Sequence, residues 1–198
     1  AVAVRVALAL PDVYEVGMSS LGLAILYEEI NRRPDALAER VFAPWVDMEA
    51  ALRSAGLPLF ALESHRPVRS FDIVGFSLQY ELTYTNVLNM LALAGIPLWS
   101  ADRREDDPLV VAGGPCAFNA EPLAPFLDAL VLGDGEEAIH DLLDAFIAWD
   151  RAGRPGGREG LLLRLVGIEG VYVPSFYDVA YRPDGRVAAV RPNRPGVP

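Results

Sequence analysis

Apolar residues along this chain fall into two alternating patterns: short unbroken runs, and longer stretches in which they recur every three or four positions. Val2 to Leu10 is almost wholly β-branched or aliphatic with one Arg, as expected of a strand covered on both faces. Pro11 ends it. Ser20 to Arg32 then places Leu21, Ile25 and Ile30 near helical spacing, and Pro34 stops the helix. The unit repeats with a short strand at Arg40 to Ala43 and a helix capped by Asp47, running through Ala55 and broken by Gly56 and Pro58. Phe71 to Leu78 is a third strand. Val87, Leu88 and Leu91 stripe a helix over Leu82 to Ala94 that Gly95 and Pro97 terminate. Leu109 to Ala112 and Ala129 to Leu132 are further strands. Gly135 to Arg151 is the longest helix, with Ile139, Leu142, Leu143, Phe146 and Ile147 inward.

Strict alternation of strands and helices implies right-handed crossovers and an α/β, doubly wound, mainly parallel five-stranded sheet. In such sheets ligands sit at the carboxyl ends of the strands, which singles out Pro11 to Ser20, Ser77 to Thr85, Gly113 to Glu121 and Gly133 to Glu137. The expected main domain is 1–152. Residues 153–198 read as a linker marked by Gly153, Pro155, Gly156 and Gly157, a short helical run near Leu161 to Val166, and a β-hairpin. In the hairpin, Tyr177 to Tyr181 and Val187 to Arg191 flank Pro183-Asp184-Gly185, a turn in which Pro sets one dihedral and Gly supplies the positive one. Pro192 to Pro198 reads as a connection onward.

The 198 residues, 52% apolar and 22% charged, describe a globular chain that buries most of its surface. A net charge of −10 works against nucleic acid, whose phosphates are bound by clustered cations. All 17 basic residues are Arg, which removes Schiff-base lysines and the phosphate-loop lysine. One Cys cannot form an internal disulfide, and no apolar run reaches the roughly 18 residues of a spanning helix. A cytoplasmic setting with no membrane partner is expected.

Each strand-end loop admits a plain and a functional role. The first, Pro11 to Gly22, offers acid and aromatic residues where a dinucleotide fingerprint would place glycines. Gly113-Gly114-Pro115 lets the backbone approach whatever lies above the sheet, or is simply a tight turn. At Gly133-Asp134-Gly135-Glu136-Glu137, Asp134 can cap the long helix and Glu137 bond back, and the acids repel phosphate. That leaves a neutral or amide-bearing ligand, or capping alone. Ser77, Gln79, Tyr80, Glu81, Thr83, Tyr84 and Thr85 form a polar and aromatic cluster larger than a turn needs, though Thr83 or Glu81 as a cap and two packing aromatics also account for it. Cys116 would be a nucleophile only with His65 or His140 near; a small buried residue is the alternative. His140, beside Asp141 and one turn from Glu136 and Asp144, belongs to a solvated face, and no metal site is expected.

Taken together, Val111-Ala112-Gly113-Gly114-Pro115, Asn119-Ala120-Glu121-Pro122-Leu123-Ala124 and Leu132-Gly133-Asp134-Gly135-Glu136-Glu137 resemble the cobalamin-binding-type domain that precedes many radical S-adenosylmethionine enzymes. The resemblance extends through Asp12 to Leu23 and Gly75 to Asn89. Ile168 to Tyr177 looks like the connecting segment of an uncharacterised iron–sulfur oxidoreductase-like subgroup.

The resemblance implies a flavodoxin-like sheet of order 2-1-3-4-5 and a cofactor face built from Asp12, Tyr14, Gly17, Ser77, Gln79, Tyr80, Gly113, Gly114, Pro115, Gly133, Gly135 and Glu136. Members that ligate cobalt through the protein carry Asp-x-His-x-x-Gly in the first loop. Here Asp12-Val13-Tyr14-Glu15-Val16-Gly17 keeps the spacing with Tyr14 in place of His, so cobalamin is expected without a protein His ligand. The three-cysteine motif of a four-iron cluster is absent. The 4Fe-4S cluster and S-adenosylmethionine are therefore expected in a downstream radical domain of the same polypeptide, and no catalytic residue is assigned to this chain. The alternative is a cofactor-free docking module whose pocket Tyr14, Tyr80 or Phe118 fills.

Overall fold

The computed structural model describes residues 2–119 and 121–198; Ala120, inside one of the resembling motifs, lies outside them. The main sheet has six strands: β1 Val4–Leu10, β2 Ala36–Phe42, β3 Ile73–Ser77, β4 Leu109–Gly113, β5 Ala129–Val131 and β6 Val171–Tyr172. Their order is β2-β1-β3-β4-β5-β6. The first five are parallel and β6 is antiparallel to β5. The expected order stands, with one further edge strand from the segment after the long helix.

Each central strand divides its side chains between two cores, as strand periodicity demands. In β1, Val4, Val6, Leu8 and Leu10 face one core and Ala7 and Ala9 the other. The helices α1 Tyr14–Gly17, α2 Leu21–Asn31, α3 Val46–Ala55, α4 Tyr84–Ala94, α5 Gly135–Arg151 and α6 Gly157–Leu165 cover both faces. Side chains of α2, α5 and α6 fill the first core, those of α3 and α4 the second. Ser20 caps α2 by accepting from Leu23 N at 3.4 Å. The caps expected at Asp134 and Asp47 are not made: Asp134 forms no side-chain capping bond, and Asp47 Oδ1 instead accepts from Met48 N at 2.7 Å. Thr83 Oγ1 donates back to Tyr80 O at 2.8 Å.

The amino end of the sheet is locked by a buried ion cluster. Asp128, just before β5, accepts from Arg103 at 2.9 Å, Arg158 at 2.6 Å and Val110 N at 2.7 Å. Arg103 also donates to the carbonyls of Pro97, Leu98 and Phe126. Burial pulls its pKa down, which the neighbouring Asp128 charge opposes. Arg158 ties α6 into the same cluster, so the segment following α5 completes the α/β body. The strands β7 Tyr177–Tyr181 and β8 Val187–Pro192 form the separate antiparallel hairpin.

Candidate functional site

The chain reverses direction across the sheet between β1 and β3, so their carboxyl ends part and leave a crevice. A cleft of about 520 Å³ opens on the α2 and α5 side. Its volume comes from small residues in register. On that face Leu8 pairs with Gly75, Gly75 with Val111, and one row higher Ser77 with Gly113. A longer side chain at 75, 77 or 113 would stand in the cleft. Leu23 and Leu26 of α2 and Ile139 and Leu142 of α5 form apolar walls, and Gly22 and Gly135 keep the mouth wide.

The rim is set by backbone geometry. Gly114 adopts φ +100°, and a Cβ there would stand 2.8 Å from Leu78 O. That carbonyl is pinned, since Leu78 N donates to Gly113 O at 2.8 Å and Cys116 N donates to Leu78 O at 3.2 Å. Only glycine permits this approach. Tyr84 Oη donates to the carbonyls of Cys116 and Asn119 at 3.1 and 3.2 Å, joining the loops after β3 and β4. Burial raises the Tyr84 pKa and keeps it a donor.

Ser77, Gln79, Gly113, Gly114, Pro115, Gly133, Gly135 and Glu136 all line the cleft. Asp12 and Tyr80 do not; with Ser77 and Gln79 they line an adjoining pocket of about 220 Å³ over the crevice itself. Gln79 Nε2 donates to Ser77 Oγ at 2.8 Å, and the pair stands between the two spaces. Tyr80 Oη donates to Asp12 Oδ2 at 2.9 Å, which raises the Tyr80 pKa, while Val13 N donates to Asp12 Oδ1 at 2.8 Å. Tyr14 lines neither space. Its ring meets Phe42 edge-on with centroids 5.6 Å apart. Gly17 is buried against the same Phe42, whose ring a Cβ would overlap.

Neither histidine lines the cleft. His140 Nε2 is 3.4 Å from Glu29, and His65 packs edge-on against Phe60. Cys116 is buried, and burial pushes its thiol pKa up, away from the reactive thiolate. Among the described residues, no three His, Cys, Asp or Glu side chains are placed to hold a metal ion, and no helix is long and apolar enough to cross a membrane.

The sequence reading missed the floor and walls, Leu8, Gly22, Leu23, Leu26, Gly75, Val111 and Ile139. Gly75 had a readable signal, because a glycine inside a buried strand marks a place where something approaches closely. Leu8 and Val111 are ordinary strand residues that register brings to the cleft, and Gly22, Leu23, Leu26 and Ile139 reach it only through the packing of α2 and α5 over the sheet.

The doubly wound sheet with a cleft at its switch point places the domain in the broad class of open α/β folds. The chain is a member of one family within it: residues 22–174 match the family described as the N-terminal region of radical S-adenosylmethionine proteins. An uncharacterised protein of Methanocaldococcus jannaschii is 25% identical over 135 residues, covering 67% of this chain and 24% of that protein. The radical S-adenosylmethionine methyltransferase TsrM of Kitasatospora setae, solved with tryptophan substrate and a S-adenosylmethionine analogue, is similar at TM-score 0.49 and 17% identity. The match covers 92% of this chain and 30% of that one. The chain thus spans about a quarter of the length of the curated relative it matches.

Proposed function

We propose that this domain is the accessory unit of a radical S-adenosylmethionine enzyme and that it holds cobalamin, without a protein His ligand, in the cleft between α2 and α5. The observation that carries the reading is the open cleft of about 520 Å³ at the strand ends, which admits one part of a cobalamin while the rest of that larger molecule lies above the sheet. Its small-residue floor suits a flat ring pressed close to the sheet. Eight of the twelve expected residues line the cleft, which supports this reading. Gly113, Gly114 and Gly133 expose backbone to it, Ser77 and Gln79 offer hydrogen bonds to its amides, and Gly135 and Glu136 border it at the start of α5. When bound, cobalamin supplies a cobalt centre able to carry an alkyl group. The chain's own residues bind and orient it; none acts as an acid, base or nucleophile.

In this reading residues 1–152 supply the cofactor cleft, and 153–198, whose α6 and β6 complete the body, lead on toward the radical domain of the same polypeptide. That domain carries the 4Fe-4S cluster and S-adenosylmethionine. Titration with hydroxocobalamin, followed by absorbance and equilibrium dialysis, should show saturable binding with a spectral shift. Gly113→Val, which fills the floor, should abolish it. No shift and no retained corrinoid at high concentration would overturn the cofactor role and favour a docking module.

A further inference from the structure

Phe118 lines the cleft and is 75% exposed. Among the described residues it joins no aromatic pair and no cation–π contact. The ring borders the space rather than filling it, since the cleft keeps about 520 Å³ with Phe118 in place. Gly22 and Gly133 line the same space, and a Cβ at either would meet nothing within 4 Å. A flat group therefore has room beside the ring. Single exposed apolar residues are ordinary on a protein surface; what distinguishes Phe118 is the turn that presents it.

That turn, Pro115–Asn119, follows β4 directly. Cys116 N donates to Leu78 O at 3.2 Å and Ala117 N to Gly114 O at 3.0 Å, and both residues are buried. The phenol of Tyr84, at the start of α4, donates to the carbonyls of Cys116 and Asn119 at 3.1 and 3.2 Å. These two carbonyls lie on either side of Phe118 in the chain, so its backbone is held from both directions. Only the torsions of the ring itself are left to be fixed when something covers it, and a contact presented in this way costs little ordering entropy. Tyr84 lines neither the cleft nor the adjoining pocket, so its influence on a ligand runs through the turn.

Resting on the reading that the cleft holds part of a corrinoid, we propose that Phe118 is the residue that stacks on the bound ligand and that Tyr84 is the positioning residue that holds it in place. The group it takes is a flat, unsaturated, uncharged ring. The face of Phe118 offers apolar area and a quadrupole suited to another ring in offset or edge-on contact. Among the described residues the lining holds Asp134 and Glu136 but no Arg and no His, so an anionic group is repelled there. Apolar contact and stacking, not charge, hold the ring.

Equilibrium dialysis of the full-length polypeptide against hydroxocobalamin tests both roles. Phe118→Ala should weaken binding about tenfold, and Phe118→Leu, which keeps apolar bulk without a flat face, about threefold. Phe118→Tyr should stay within about twofold of the parent. The ring belongs to neither hydrophobic core, so these variants should keep the parent's Tm. Tyr84→Phe should weaken binding about threefold in the parent and leave it unchanged in a Phe118→Ala background, where nothing remains to be positioned. Parent binding that Phe118→Ala leaves unchanged or tightens overturns the stacking role, with the cofactor reading intact; Phe118→Leu binding as tightly as the parent does the same. An equal loss from Tyr84→Phe in both backgrounds means that Tyr84 acts through the fold and overturns its positioning role. No binding by the parent removes the cofactor reading and this proposal with it.

Discussion

Replacing Gly114 by Ala tests whether backbone geometry shapes the cleft rim. At φ +100° any other residue is strained, at a cost of about 1–3 kcal/mol. The added methyl would also stand 2.8 Å from Leu78 O, which cannot retreat without stretching the bond it accepts from Cys116 N and the adjoining one that Leu78 N donates to Gly113 O. Loss of one such bond adds about 1 kcal/mol, for a total of about 2–4 kcal/mol. At about 2–4 °C per kcal/mol for a domain of this size, Tm should fall by roughly 4–16 °C. Gly113→Ala is the control. Gly113 lacks a positive φ, and its new methyl meets Val131 O and Cβ at 3.6 and 3.7 Å, ordinary contact. That variant should stay within about 1 kcal/mol of the parent. Thermal and urea unfolding followed by circular dichroism give both numbers. A Gly114→Ala protein as stable as Gly113→Ala would refute the reasoning.

Other outcomes follow from the same contacts. Asp128→Ala strands Arg103, whose side chain is fully buried, and should cost about 3–5 kcal/mol in urea unfolding; a loss under about 1 kcal/mol would mean the cluster contributes little. Gly17→Ala forces Phe42 aside and should cost about 1–3 kcal/mol while leaving hydroxocobalamin affinity unchanged; selective loss of affinity would place Gly17 in the cofactor site. Burial, with Glu121 beside it, pushes the Tyr172 pKa from 10.0 to about 12. The folded state therefore favours the neutral phenol, so its contribution is intact below pH 10 and lost as pH rises toward 12. The parent should lose stability more steeply than Tyr172→Phe across that window, and parallel curves would count against the assignment.

Much of the architecture was legible because each element has a local cause. β1 is an apolar run with one Arg and needs two covered faces. Gly135 to Arg151 carries a long helical stripe, and the observed α5 has those same bounds. Capping was less legible: Asp134 has the right residue type, yet its side chain makes no cap. β6 was missed as a sheet strand because Val171–Tyr172 is two residues long and takes its place through pairing with β5.

By itself the sequence determined the alternation of strands and helices, the strand order through the family resemblance, and three of the loops that border the cleft. Those properties depend on local periodicity and on turn residues with few conformational choices. Tertiary structure decided which of the named residues share a space. It gathered eight of them around one cleft, set Asp12 and Tyr80 in a neighbouring pocket, and turned Tyr14 against Phe42. It also made the cleft itself, because the volume exists only where register lines up Gly75, Ser77 and Gly113. That alignment depends on pairing between segments far apart in the chain, which a reading of any one segment does not contain.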